Sequence, residues 1–243
     1  MSKYFFSPEA LENGRITVSK ETSHHLLNVL RMKPGDEVIL CDGNGMDYLC
    51  AIESNFDVFA KGFTPCITEP FVRISLYQSL PKGDKFDLIV QKCVELGVYE
   101  IYPVHTERSV SRIKEKDTAK KTSRFQKISE AAAGQSMRGI IPVVHPPCDF
   151  KEAIKMLSMK SESLTLLAYE QEHNLTLKAA LNAGKPHHIN IWIGPEGGFS
   201  DKEVAALREV GAIPVTLGRR ILRTETAAIS AIAQIICLCE DEA

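Results

Sequence analysis

From Val72 onward, strand-type runs alternate with helix-type runs, and this rhythm narrows the possible folds more than any other feature of the chain. Residues 72–80 read as a strand and 84–96 as a helix. In that helix Phe86, Ile89, Val90, Cys93 and Leu96 recur at three- and four-residue spacing on one face. "VYEIYPVHT" is the next strand, 118–137 a helix, 164–169 a strand and 176–182 a short helix. Strands over 189–193 and 213–217 precede helices over 202–210 and 225–239. Such repeated units predict an α/β domain with a parallel sheet covered by helices on both faces.

The first seventy residues follow a different pattern. Short β-type runs lie at 4–6, 15–18, 37–40 and 48–52, with one helix over 21–30. "CDGNGMD" between the last two runs predicts a hairpin whose glycines supply positive φ. "ITEPF" reads as a connector, so 1–70 is expected to be a small, mainly β domain and 71–243 the α/β domain.

Composition sets outer bounds. Apolar residues make up 44% and charged residues 25%, the balance of a soluble globular protein. No apolar run is long enough to span a bilayer, and "MSKYFFSP" lacks the long apolar stretch of a secretory signal. A cytoplasmic protein is the expectation. The seven cysteines include no C-x-x-C pair, and Cys237 and Cys239 fall on different faces of a helix. Buried free thiols and no metal site are therefore expected. Net charge is −2, yet residues 105–127 hold eight Lys/Arg against three Asp/Glu, which leaves −7 for the rest. That stretch reads either as a solvated helix face or as a footprint for nucleic-acid phosphates.

Ligands in open parallel sheets sit beyond the carboxyl ends of the strands. Three segments end strands this way: "LLAYEQE", "IWIGPEGGFS" and "VTLGRRILRTET". The second lacks the Lys-Ser/Thr of a P-loop and places one carboxylate, Glu196, among three glycines. A carboxylate there suits a cation, an amine or a ribose better than a phosphate, and an exposed turn residue is the plain alternative. Ser200-x-x-Glu203 is a capping box, which makes Glu203 structural. In the third segment Thr224 is placed to cap the last helix and Glu225 to meet its dipole. Arg223 is not explained that way, since the dipole opposes a cation at a helix start.

"IGPEGGFSDKE" and "LGRRILRTETA" closely resemble the RsmE family, methyltransferases that make N3-methyluridine in 16S ribosomal RNA and belong to the SPOUT superfamily. "VLRMKPGDEV", "KFDLIVQKCVELGVYEIYPVHTERSV" and "AAAGQSMRGIIPVV" extend the likeness over nearly the whole chain. The resemblance implies a PUA-like β-barrel at 1–70 that helps grip RNA, followed by a trefoil-knotted SPOUT α/β domain at 71–243. It also implies a homodimer with S-adenosylmethionine as cofactor, and 16S RNA within the small ribosomal subunit as partner. By matching motifs, cofactor contacts fall on Tyr169 and Glu170, then on Gly194, Pro195, Glu196, Gly197 and Gly198. Further contacts fall on Leu217 and Gly218, and on Ile221, Leu222, Arg223, Thr224, Thr226 and Ala227. Lys3, where family members often have arginine, and Arg31 are expected at RNA.

Methyl transfer to uracil N3 requires loss of its proton, or stabilisation of the charge that grows on the ring. Arg223 is the candidate for holding the developing oxygen charge, and Glu196 or Glu225 for accepting the proton. The target must also be unpaired or flipped out. RNA affinity is expected from Arg108, Arg112, Lys114, Lys120, Lys121 and Arg124, and Arg138 is expected to reach RNA or the dimer partner, or to form a structural salt bridge. The rivals are a SPOUT enzyme acting on transfer RNA and an RNA-binding assembly factor without catalysis. A dinucleotide oxidoreductase is disfavoured, because no G-x-G-x-x-G lies between a strand and a helix.

Overall fold

The computed structural model describes residues 3–53, 57–158, 163–182 and 186–240. They fall into two compact units: Met1–Glu69 with Ala133–Ile141, and Pro70–Ala132 with Pro142–Ala243.

The first unit holds β1 (Tyr4–Phe5), β2 (Leu11–Glu12), β3 (Arg15–Ile16), β4 (Glu37–Cys41), β5 (Met46–Ile52) and β6 (Val58–Pro65). They form one sheet in the order β1-β4-β5-β6-β3-β2, parallel only between β1 and β4. Its helix α1 (Lys20–His24) starts where Ser19 Oγ accepts from the Thr22 amide, and runs on as a π-helical turn to Val29. The hairpin forms as the sequence predicts. Asp42 Oδ1 accepts from the amides of Asn44 and Met46, and Gly43 and Gly45 take φ of +73° and +95°. Inward side chains of Phe6, Ile16, Leu26, Val38, Leu40, Cys50 and Val58 make the core.

β6 was not expected from the sequence. Gly62 and Pro65 weaken its strand signal, and the pairing register slips at Leu49/Cys50, which breaks a two-residue alternation. The segment Ala133–Ile141 also departs from the expected boundary at residue 70. It joins the first unit through Lys3 N–H to Gly134 O (2.9 Å), Gly45 N–H to Gly139 O (2.9 Å) and a bridge between Asn44 and Ile140.

Two expected RNA cations are internal ties of this unit. Lys3 is 3% exposed, with Nζ 2.8 Å from the Asp47 carboxylate and 3.2 Å from Cys66 Sγ. Arg138 is likewise 3% exposed. Its guanidinium donates to both oxygens of Glu69 at 3.2 and 2.7 Å, and Glu69 also accepts from the amides of Gly139 and Ile140. For Arg138 the salt-bridge alternative is the one the geometry supports. Desolvating such a cation is tolerable only with this number of acceptors around it.

The second unit contains β7 (Arg73–Ser79), α2 (Lys85–Glu95), β8 (Glu100–His105), α3 (Glu115–Gln135, whose last turn counts with the first unit) and β9 (Val143–Val144). After these come β10 (Cys148–Asp149), α4 (Phe150–Ser158), β11 (Leu164–Ala168), α5 (Leu177–Leu181), β12 (His188–Ile193), α6 (Asp201–Glu209), β13 (Ile213–Val215) and α7 (Thr224–Glu240). All ladders are parallel, in the order β10-β8-β7-β12-β11-β13, with β9 on β8. The predicted parallel sheet is present, and its strand ends share one edge.

On one face, Trp192, Tyr77 and Tyr102 occupy paired positions of β12, β7 and β8, and their rings stack at 4.6 Å with planes 7° apart. His145 extends the column at 4.0 Å. The ring spacing matches the strand spacing, so the sheet itself sets the stack. α4 and α6 close over this face through Ala153, Leu157, Val204 and Leu207. On the other side α7 lies against β7, β12, α2 and α5. α4 was missed in the sequence, although Phe150, Ala153, Ile154 and Leu157 do follow helical spacing. α3 begins three residues before its predicted start, and Met137, with φ of +61°, stops its continuation.

None of the seven cysteines forms a disulfide, but Cys237 is exposed where burial was the expectation. Among the described residues no helix is long and apolar enough to cross a membrane. Replacing Arg138 by methionine is expected to lower unfolding free energy by about 3 kcal/mol, read from urea denaturation, because Glu69 loses its cation.

Candidate cofactor pocket

β12 ends at Ile193 and the chain turns through Gly194–Ser200 before α6. The capping box is formed: Ser200 Oγ accepts from the Glu203 amide and Glu203 Oε2 from the Ser200 amide. Glu203 does more than cap. Buried at the helix start, its Oε1 accepts from the Glu107 amide at 2.8 Å, which fastens the segment after β8 to the glycine loop. Beside it Arg108 Nη1 donates to Gly197 O at 3.0 Å. Arg108, expected at RNA, therefore supports this loop directly.

The glycines differ in what they require. Gly198 has φ of +67°, donates to Pro195 O at 3.0 Å, and a Cβ there would collide with Glu170 Oε1. At Gly197 a Cβ would only graze the Arg108 stem at 3.4 Å. Close approach thus depends on Gly198 first. Glu170 stands in the loop after β11, next to Tyr169, whose amide bonds Val215 O at 3.1 Å and ties that loop to β13. Beyond β13, the Gly218 amide donates to Thr216 Oγ1 at 3.2 Å, with φ of +128° at Gly218.

The third segment meets the second at one hydroxyl. Thr224 Oγ1 donates to Gly194 O at 2.6 Å and accepts from Gln78 Nε2 at 3.0 Å. Capping was the expected role of Thr224; instead Thr224 is the first residue of α7, and its side chain joins β7, β12 and α7. Leu222 and Ala227 are half-buried, while Ile221 and Thr226 are exposed. Arg223 is exposed, and its guanidinium pairs with none of the described residues. Arg219 and Arg220, not singled out in the sequence, are exposed in the same loop.

The two carboxylates considered as proton acceptors share a cation. Lys85 Nζ lies 3.0 Å from Glu196 Oε1 and 3.3 Å from Glu225 Oε2, and the Lys82 amide also donates to Glu196. Partial burial pushes the Glu196 carboxyl up, but the Lys85 hydrogen bond and neighbouring amides outweigh it and hold the group below its usual value. The same contact raises Lys85. Lys85 sits in the first turn of α2, outside its apolar face, so periodicity gave no reason to single it out.

Of the other expected RNA cations, Arg31 is exposed in the first unit, with φ of +55°. Arg112, Lys114 and Lys120 are exposed and Lys121 is half-buried. Arg124 is ion-paired with Asp87. A groove of about 420 Å³ on α3 is lined by Lys120, Ser123, Arg124, Lys127, Ile128 and Ala131.

Three carboxylates, Glu170, Glu196 and Glu225, thus border glycine turns that offer backbone groups and no phosphate-binding lysine pattern. This donor set fits a cationic, ribose-bearing group such as S-adenosylmethionine.

Comparison with known proteins agrees. The RNA methyltransferase domain family matches residues 68–236, and the RNA methyltransferase PUA domain matches residues 18–56. These matches define the chain as an RNA methyltransferase with an α/β catalytic domain and a PUA domain. Ribosomal RNA small subunit methyltransferase E of Bacillus subtilis is 32% identical over 97% of this chain and 96% of its own. The structure of the Neisseria gonorrhoeae ribosomal RNA small subunit methyltransferase E, bound to S-adenosyl methionine, is 33% identical with a TM-score of 0.85 over 98% of both chains. A putative methyltransferase from Legionella pneumophila, solved with its bound cofactor SAM, is 30% identical with a TM-score of 0.83 over 96% of both. The chain belongs to the ribosomal RNA small subunit methyltransferase E family, the one its glycine-rich motifs resemble.

Gly198→Ala is expected to keep the fold but lower S-adenosylmethionine affinity at least about tenfold by calorimetry, since one mispositioned contact is worth that much. Gly197→Ala should fall well short of that loss. For the Lys85 contact, Lys85→Met should raise the Glu196 carboxyl titration toward its ordinary value, followed by NMR. In the unaltered protein the pair's contribution to stability is present above the ordinary carboxylate pKa and is lost as pH falls through the depressed one.

Proposed function

We propose that this chain methylates small-subunit ribosomal RNA, with S-adenosylmethionine as donor and N3 of a 16S uridine as acceptor. The observation that carries this reading is the Gly194–Gly198 turn bordered by Glu170, Glu196 and Arg108 in a chain of this family. When bound, the cofactor supplies a methyl group on a sulfonium cation. Gly198 lets the loop backbone approach it, and Glu170, Glu196 and Glu225 compensate positive charge. Arg223, exposed at the start of α7, holds the negative charge that grows on the uracil oxygen as N3 loses its proton. Against the upward push of partial burial, Lys85 holds the Glu196 carboxyl below its usual value, which favours a role in holding groups over one in accepting the proton. The same ammonium lies 3.3 Å from Glu225.

Several features of the family reading go with this activity. A trefoil knot is supported by the path of the chain: β13 pairs with the outer side of β11, yet α7 returns to pack on β12 and β7. A homodimer is supported by the incompletely covered α2–α7 pair, where Leu88 is 42% exposed and Ile229, Ala233 and Ile236 are half-buried. RNA phosphates would meet Arg112, Lys114, Lys120 and Lys121 on the second unit, Arg219 and Arg220 near the pocket, and Arg31 on the PUA unit. The site of action is the cytoplasm, on the small subunit or its precursor.

Mass spectrometry of 16S nucleosides from cells lacking this gene should show N3-methyluridine missing and restored on complementation; its persistence defeats the reading. In purified form, Arg223→Ala is expected to lower turnover by about 10²–10³-fold while cofactor affinity is kept. RNA affinity should fall steeply with salt, with a slope of log K against log[salt] that shrinks by roughly 0.7–0.9 for each phosphate-contacting cation removed.

A further inference from the structure

The segment after β8 borders two different spaces. Through Glu107 and Arg108 it touches the glycine loop, and through His105 and Ile113 it borders a second cleft of about 1070 Å³. The cleft is also lined by the Thr118–Ser123 face of α3 and by the Pro146–Asp149 segment that leads into β10. Two of its polar atoms, His105 Nδ1 and Thr122 Oγ1, are shut off from solvent and have no partner among the described residues. Each such atom costs about 1–3 kcal/mol if left unsatisfied, so an occupant that offers hydrogen bonds is favoured there over an apolar one.

Charge narrows what that something is. Glu115, Asp149 and Glu152 line the same cleft, so an anionic group is repelled from it. The groove that adjoins it on α3 has the opposite character. It shares Ser123 with the cleft and is lined by Lys120, Arg124 and Lys127. A ligand with a neutral, hydrogen-bonding heterocycle beside a polyanionic backbone satisfies both spaces at once. An unpaired nucleotide of an RNA strand has this make-up. The sheet order adds a distance: β8 lies two strands from β12, about 10 Å in strand spacings, so the cleft is within a few nucleotides of the glycine loop.

We propose that the cleft between the Thr118–Ser123 face of α3 and the Pro146–Asp149 segment is a base-binding pocket for an unpaired nucleotide flanking the methylated one, its phosphates lying along Lys120 and Lys127. This inference rests on the reading that the chain methylates RNA, and it gives the enzyme a means of selecting sequence around its target. His105 and Thr122, both half-buried on the cleft wall, turn Nδ1 and Oγ1 toward the edge of the base when it enters. Burial, with Arg112 beside it, holds the His105 imidazole below its usual pKa, so at neutral pH the ring offers one donor and one acceptor.

Two variants test the pocket without touching the glycine loops. Ala119 is an exposed α3 residue on the cleft wall, and Ala119→Trp fills the space; Thr122→Val removes the hydroxyl and keeps the shape. With calorimetric S-adenosylmethionine affinity unchanged as the check on folding, each should raise KM for the RNA by roughly tenfold, the loss of one bound base. Ultraviolet cross-linking of the unaltered protein to RNA containing 5-iodouridine beside the target should label a cleft peptide, and Ala119→Trp should abolish that label. Unchanged KM in both variants overturns the pocket, as does a change in particle mass by light scattering with RNA kinetics intact, which would mark a protein contact instead. If the unaltered protein transfers no methyl group to RNA, the reading of its activity fails; full activity with an indifferent cleft sinks only the pocket.

Discussion

The hydroxyl of Thr224 joins three elements of the second unit in one place. It donates to the carbonyl of Gly194 and accepts from the amide of Gln78, so the end of β12, the end of β7 and the start of α7 meet in a buried spot closed to competing water. Without it the two glycine-rich segments would lose their buried link and keep the more exposed one through Lys85, which reaches Glu196 and Glu225. A buried carbonyl left without a donor is costly, and the chain satisfies this one with a side chain from thirty residues away. The parallel sheet makes the meeting possible, because it brings every carboxyl end to one edge. The stacked column of Trp192, Tyr77 and Tyr102 follows from the same strand register.

Around this point the electrostatics are arranged for a cation. Lys85 binds Glu196 and Glu225 together, which offsets one of their two formal charges while leaving their oxygens in place. The arrangement explains why a glycine loop of a kind usually associated with phosphates contains a carboxylate. It also changes the role open to Glu196: a carboxylate already held by an ammonium is a weaker proton acceptor than a free one. Arg223, by contrast, has no partner among the described residues and is available to a developing negative charge.

The basic residues divide by environment more than by position in the chain. Lys3 and Arg138 are buried ties of the first unit, Arg108 braces the glycine loop, and Arg124 is ion-paired. Arg112, Lys114 and Lys120 keep their charge at the surface, joined by Lys127, Arg219 and Arg220. A count of Lys and Arg along residues 105–127 cannot separate these cases, since burial and partners are set by segments far away. Contact with RNA therefore has to be sought among the exposed members.

The alternation of strands and helices, the hairpin at Asp42–Met46, the capping box at Ser200 and the two glycine-rich segments were legible from the sequence, because each is encoded by spacing or by residues within a few positions. The missed α4 and β6 show the limit of that code where the pattern is short or its register slips. The sequence by itself determined the class of fold and the turn chemistry of the glycine-rich loops, since local periodicity and turn chemistry act over one or two turns of chain. Only the tertiary structure decided that Thr224 bridges rather than caps, that Lys85 governs Glu196 and Glu225, and that Lys3 and Arg138 face inward. Those outcomes depend on which remote groups arrive within about 3 Å, the range over which hydrogen bonds and ion pairs act.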